Sequence, residues 1–215
     1  MPDIAPRYWL MIATLGLVWG ATFLLIKLAL DGITPFWLAA SRIGFAALLL
    51  CAVWGWRGFK LFKSETNWPS LVIIGILSTA LPFMLISWGQ QHVSSGFTGV
   101  SMAAIPLMVL PLAHLFIPGE RMVLRRVIGF LIGFLRVALL IGGKAFESSS
   151  SELETLGRLA CLSAAACYAC SSILTRRLAA ADPVGLAAVF LVIGSFVILP
   201  AAWVTEGPPQ MPDSQ

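Results

Sequence analysis

The chain has 215 residues, 59% of them hydrophobic and 11% charged, with 14 Lys and Arg against 10 Asp and Glu. Soluble domains carry roughly 25% charged residues, so a mean hydropathy of +0.91 excludes an ordinary soluble globule and describes an all-α polytopic membrane protein. The formal charge of +4 does not indicate nucleic-acid affinity, because the Lys and Arg lie in short loops between apolar runs, where they orient a chain in a bilayer.

Seven apolar segments follow one another. The N-terminal MPDIAPRYWL lacks the pattern of a signal peptide, so the first segment, about Tyr8 to Leu30, is expected to stay in the mature protein. The second runs from about Phe36 to Trp56 and carries Arg42. The third covers about Trp68 to Trp88 and exits through Gln90-Gln91-His92. The fourth covers about Gly96 to Ile117 and contains Pro106 and Pro111. The fifth, about Val127 to Ile141, carries Arg136 at its centre. A loop of Ser and acidic residues, 142–155, precedes the sixth (about Leu156 to Leu174) and seventh (about Pro183 to Val204), and the tail from 205 is polar and Pro-rich, hence expected to be disordered. Segments of this length suit helices that cross about 30 Å of hydrocarbon at 1.5 Å per residue.

Charge orients the bundle. With the N-terminus in the cytoplasm, Arg7, Arg57, Lys60, Lys63, Arg121, Arg125, Arg126, Arg176 and Arg177 lie inside, and Lys27, Lys144 and Arg158 lie outside. That asymmetry predicts a cytoplasmic N-terminus in a bacterial inner membrane. Five helices precede the acidic loop, and an odd number means that a repeat of the block must insert upside down. Trp19-Gly-Ala-Thr-Phe-Leu-Leu-Ile-Lys27, followed by Pro35, is echoed by Tyr168-Ala-Cys-Ser-Ser-Ile-Leu-Thr-Arg176, followed by Pro183. Inverted repeats of this kind place solute sites at the midplane between the two units.

Several motifs resemble the EamA branch of the drug/metabolite transporter superfamily. They are LGLVWGATFLLIKLAL in the first segment, Pro35 with SRIGFAALLL in the second, and SWGQQHVSSGFTGVSMAAIPL across the third and fourth. Gly119-Glu120-Arg121 before RRVIGFLIGF completes the set. The resemblance covers residues 8–141, and 156–204 resemble the start of a second unit. It implies ten helices in two inverted five-helix units that carry small organic solutes or metabolites across the plasma membrane. The organisation expected here is therefore one five-helix unit (1–141), an extracytoplasmic loop (142–155), two helices of an inverted second unit (156–204) and a tail, as if truncated after helix 7. Arg136 stands where the family pattern suggests a small residue.

The candidate solute-binding residues are Trp19, Thr22, Arg42, Ser87, Gln90, Ser101, Pro106 and Tyr168. Trp19 and Tyr168 are mid-membrane aromatics in corresponding places. Thr22, Ser87, Gln90, Ser101 and Ser171 supply hydroxyls or an amide to a mixed pocket, although such residues also pack and hydrogen-bond in any helix bundle. Arg42 offers a fork for a carboxylate or phosphate, the plainer alternative being a side chain that snorkels outward. Pro106, with Pro111 and Pro82, kinks its helix and frees carbonyls. Gly16/Gly20 and Gly129/Gly133 are expected to be packing faces, and Glu120 with Arg121 to orient the turn between the fourth and fifth segments.

No acid lies inside a span, so the usual proton carrier is lacking from these segments. Cys167-Tyr-Ala-Cys170 reads as helix packing, since no second ligand pair accompanies it, and no metal or cofactor is expected. The seventh segment has no Lys for a retinal Schiff base. Ser94, Ser95 and His92 sit too near the boundary for a buried protease dyad, and no phosphate-cradling loop occurs, so no enzyme activity is expected. The partners expected are the lipid bilayer and a small-molecule solute, and a homodimer is compatible with the sequence. The competing reading is an incomplete, non-transporting fragment or a partner-dependent scaffold.

Overall fold

A computed structural model describes residues 6–59, 67–120, 123–141, 152–178 and 182–209. Lipid offers no partner to backbone N–H and C=O groups, and helices close those bonds internally. Among the described residues all seven segments are helical and no strand occurs. The first two are α1 (Pro6–Ala29) and α2 (Pro35–Trp56). The third is composite: α3 (Trp68–Gly75), a π turn (Ile76–Ala80) and α4 (Leu81–His92). The fourth comprises α5 (Ser95–Ala103) and α6 (Ile105–Phe116), and α7 (Leu124–Ile141), α8 (Glu152–Thr175) and α9 (Pro183–Glu206) follow. Six spans are long and apolar enough to cross a membrane. The remaining one, the fifth segment α7, carries Arg125, Arg126 and Arg136 among its 18 residues.

Prolines set the breaks. A proline has no N–H and its ring clashes with the carbonyl four residues back. Pro82 follows the π turn directly, and Pro106 follows the break at Ala104, where ψ relaxes to −12°. In both spans the helix changes winding just upstream of the proline, and Pro111 is accommodated inside α6.

Small side chains bring the last two helices against the first five. α9 lies along α2 and α3, while α8 packs on α4, α5 and α6. Ala39, Ala40 and Ile43 of α2 bury against Ile198 and Ala202 of α9. On α8, Gly157, Ala160, Cys161, Ala164, Ala165 and Ala169 form a buried row at helical spacing. The backbones nearly touch where α4 crosses this row: a Cβ on Gly89 would lie 2.9 Å from Cys161 Sγ and 3.0 Å from the Gly157 carbonyl. At Gly194 of α9 a Cβ would lie 2.1 Å from Thr79 Oγ1 in the π turn. The Thr79 hydroxyl sits 2.6 Å from the Gly75 carbonyl and 3.2 Å from the Phe190 carbonyl, linking the two spans. The expected glycine faces prove different: a Cβ on Gly16, Gly20, Gly129 or Gly133 meets nothing within 4 Å. A G-x-x-x-G pair draws helices together only where a second helix packs closely opposite, and among the described residues none packs on these four glycines.

Polar contacts fasten the bundle at both ends. Thr34 begins α2 without a side-chain cap, and Pro35 leaves the N–H groups of Phe36 and Trp37 free. Glu206, at the end of α9, accepts from the Thr34 hydroxyl (2.5 Å), Phe36 N–H (2.9 Å) and Trp37 N–H (3.1 Å). Gly207 then turns away at φ +73°, a conformation suited to glycine, and its carbonyl accepts from Trp37 Nε1 at 2.9 Å. At the opposite end Arg176 pairs with Glu120 at 2.8 Å, and Arg177 donates to the Phe116 carbonyl. Glu120 therefore reaches across to the end of α8, beyond the turn it was expected to orient. The Arg136 side chain, Lys60, Lys63, Arg121, residues 142–151 of the acidic loop and 210–215 of the tail lie outside the described residues.

Gly194→Ala is expected to cost about 1–3 kcal/mol of unfolding free energy through overpacking. Gly16→Ala should stay within about 0.5 kcal/mol. Thermal unfolding in detergent micelles distinguishes them, and equal losses would contradict the close seam at Gly194. In the same assay Glu206→Ala should lose about 1–2 kcal/mol, as deletion of an N-cap does; no loss would refute the clamp.

Candidate functional site

The first half of α1 is bare toward its surroundings, and its second half dips against α4 and α5. Between α1 and α5 lies an open groove of about 500 Å³, lined by Trp19, Gly20, Phe23, Leu24, Ser95, Gly96, Gly99, Met102, Ala103 and Ile105. Gly20, Gly96 and Gly99 leave the room that side chains would otherwise fill. The groove is almost wholly apolar. Behind it Phe23, Met102 and Ile105 join Ile26, Leu38, Ile86, Ala164, Ala165 and Tyr168 in one hydrophobic cluster.

Three of the expected residues, the buried Ser87 and Gln90 and the half-buried Arg42, carry buried polar atoms that are unsatisfied. Ser87 Oγ and Gln90 Oε1 have no hydrogen-bond partner, and neither has Arg42 Nη1. Gln90 is held by its amide nitrogen, which donates to the Phe23 carbonyl at 3.2 Å. Its backbone carbonyl accepts from Lys27 Nζ at 2.6 Å, a cation at the C-terminus of α4, where the helix dipole favours it. Arg42 is the eighth residue of α2, and its guanidinium lies 5.0 Å from the Phe83 ring centroid on α4. Arg42 thus sits at the contact of α2 with α4.

The other expected residues fare differently. Trp19 lines the groove and is 60% exposed, whereas Tyr168 packs behind it in the cluster, so the two aromatics hold corresponding sequence places in unlike surroundings. The Thr22 hydroxyl donates to the Val18 carbonyl at 2.7 Å, that of Ser101 to Phe97 at 3.0 Å and that of Ser171 to Tyr168 at 3.0 Å, all within their own helices. Such back-bonding satisfies a hydroxyl that lipid cannot. Pro106 is exposed at the start of α6, and the groove is lined by its neighbour Ile105 instead. Phe83, Lys27, Gly96 and Gly99 were not singled out in the sequence as site residues, and Gly20 was expected to pack rather than to line a groove. An aromatic on α4 has no local signal that Arg42 will lie across it, because the two meet only when α2 and α4 pack. The thiols are unremarkable: Cys161 lies 3.6 Å from Thr98 Oγ1 in a tight helix contact.

Removing a buried hydroxyl that has no partner should be neutral or stabilising. Ser87→Ala is therefore expected to leave the thermal unfolding temperature unchanged or raised, and a clear fall would mean that Ser87 holds an internal partner.

Known proteins share this fold and sequence. Transporter YvbV of Bacillus subtilis, itself uncharacterized, is 28% identical over 93% of this chain and 64% of its own length. A second uncharacterized transporter of that organism, YoaV, is 23% identical over 94% of this chain and 69% of its own. A probable terminal-alkyne amino-acid exporter of Streptantibioticus cattleyicolor is 26% identical over 69% of this chain and 50% of its own. The chain thus spans half to about two-thirds of the length of these relatives. A crystal structure at 21% identity superposes with a TM-score of 0.63 over 92% of this chain and 68% of that one, so the fold is shared. The pattern of the EamA-like transporter family matches residues 7–142, well over half of the chain, and this multi-pass membrane protein belongs to that family.

Proposed function

We propose that the chain is part of, or itself constitutes, a carrier that moves a small organic solute across a bacterial inner membrane by alternating access. The observations that support this most are the apolar groove and the buried, unpartnered polar atoms of Arg42, Ser87 and Gln90, the last held on the carbonyl of the groove residue Phe23. Groups left unsatisfied in a dry interior are costly, and a solute that supplies their partners gives binding energy at that point. Trp19 and the groove floor hold the apolar part of the solute, and Arg42, Ser87, Gln90 and Tyr168 form the polar region behind it.

In this reading α1–α7 form one unit, and α8 and α9 open an inverted second one, with the N-terminus cytoplasmic. Rocking occurs along the glycine seam, where near contact of backbones leaves few interlocked side chains to unlock. The Glu206 clamp and the Arg176–Glu120 pair hold opposite ends of that seam, so each conformational exchange loosens one of them. The amino-acid exporter among the relatives makes amino acids a sensible first group of solutes to test.

The experiment is counterflow into vesicles that carry the purified chain, with a panel of radiolabelled amino acids and aromatic acids. Gly99→Leu is the diagnostic variant. The nearest atom to a Cβ there is Phe23 Cδ2, at 3.7 Å, so a larger side chain enters the groove rather than the core. Gly99→Leu is expected to abolish flux while leaving unfolding within about 0.5 kcal/mol of the parent. Undiminished flux would remove the groove from the pathway, and no flux of any solute by the parent chain would oppose transport by this chain alone.

A further inference from the structure

Arg42 has no counter-charge. Among the described residues no Asp or Glu lies in the interior of a span, and most acids at the helix ends are engaged elsewhere. Glu206 caps α2, Glu154 pairs with Arg158 at 2.5 Å, Glu120 pairs with Arg176, and Asp182 accepts from Gly185 N–H. Asp31 is exposed in the turn after α1, and Glu152 is exposed at the start of α8. A cation held among apolar helices without an anion is unfavourable, and a guanidinium cannot relieve this by losing its proton at ordinary pH. Among the described residues nothing supplies the anion that would complete the site.

The geometry states what kind of group fits. Phe83 lies under the guanidinium, fixing its plane and covering one face. Nη1 is buried and without a hydrogen-bond partner, and a guanidinium edge grips a carboxylate through parallel hydrogen bonds. Ser87 lies one helical turn beyond Phe83 on α4 and keeps an unpartnered hydroxyl oxygen. Tyr168 packs on the cluster that contains Met102 and on which Phe23 and Ile105, which also line the groove, are packed. The groove contributes apolar surface and no acid, so it gives no ion-pairing partner to an ammonium group.

We infer that the site selects an organic carboxylate: the apolar body lies in the groove between α1 and α5, and the carboxylate passes Tyr168 to pair with Arg42. This inference deepens the transport reading and rests on it for the role of the site. Arg42 is a binding residue, and Tyr168 sets the passage to it.

The test is equilibrium dialysis on the full chain, purified in an uncharged detergent, with radiolabelled benzoate, benzamide and benzylamine. These share a ring and differ in charge. Benzoate should bind at least about tenfold tighter than benzamide, as a charge-assisted hydrogen bond implies, and benzylamine weakest of all. Arg42→Gln should remove that preference. Arg42→Lys keeps the charge without the fork, so it should weaken benzoate yet still prefer it to benzamide, and this variant decides the matter if Arg42→Gln does not fold. Equal binding of benzoate and benzamide, benzoate binding unchanged in Arg42→Gln, or no benzoate binding would overturn the inference. So would phosphatidylglycerol that displaces benzoate and co-purifies with the parent but not with Arg42→Gln, since the occupant would then be a lipid phosphate. Dialysis needs no flux, so the two readings fail separately. Carboxylate binding without vesicle uptake would count against transport alone, and uptake of neutral solutes without carboxylate binding would count against this inference alone.

Discussion

The contact on which the bundle depends is the near touching of backbones at Gly89–Gly157 and Thr79–Gly194. In lipid, apolar side chains gain nothing by leaving apolar surroundings, so helices associate through close packing and the polar contacts that closeness allows. Both operate at this seam. Gly89 and Gly157 allow α4 and α8 to meet with less than a Cβ between them. Gly194 makes a notch for Thr79, whose hydroxyl lies within reach of carbonyls on both spans. Once the seam is set, the alanine row of α8 and the Ala39/Ala40/Ile43 face of α2 have fixed partners.

The same solvent governs the charges. At the ends of the bundle, acids and bases find helix termini or each other: Glu206 satisfies the first turn of α2, Lys27 the last carbonyls of α4, and Glu120 the side chain of Arg176. Inside, hydroxyls turn back onto their own helices, as at Thr22 and Ser101. Against that background of local satisfaction Arg42, Ser87 and Gln90 stand out, because each retains a polar atom that the fold leaves unpaired. A structural residue would be expected to complete its bonds, and a residue that completes them with a transient partner is what a binding site requires.

The groove and the polar atoms also divide the work that recognition asks of a site. Apolar surface along α1 and α5 supplies the bulk of the contact, and a few fixed donors behind it supply direction. Trp19 lines the groove and Tyr168 packs on the cluster behind it, so in the proposed reading a solute meets an aromatic ring first and a charge last.

Much of the fold was legible in the sequence, because span length and hydropathy are set residue by residue: all seven segments appear as helices close to the expected limits. The winding changes beside Pro82 and Pro106 were legible too, since a proline's missing donor is a local property. Two of the candidate residues, Arg42 and Gln90, were marked by being polar where lipid penalises polarity. What the sequence could not decide was opposition. Gly16/Gly20 and Gly89 look alike along the chain, yet of these only Gly89 has a helix packed tightly against it. Trp19 and Tyr168 share a pattern, yet one faces the groove and the other is packed behind it. Thr22 and Ser87 are both mid-helix hydroxyls, yet the first bonds to its own backbone and the second does not. Composition and periodicity fix which residues dislike lipid, whereas their partners depend on crossing points between helices distant in sequence. Those crossings are set only when all the spans pack together.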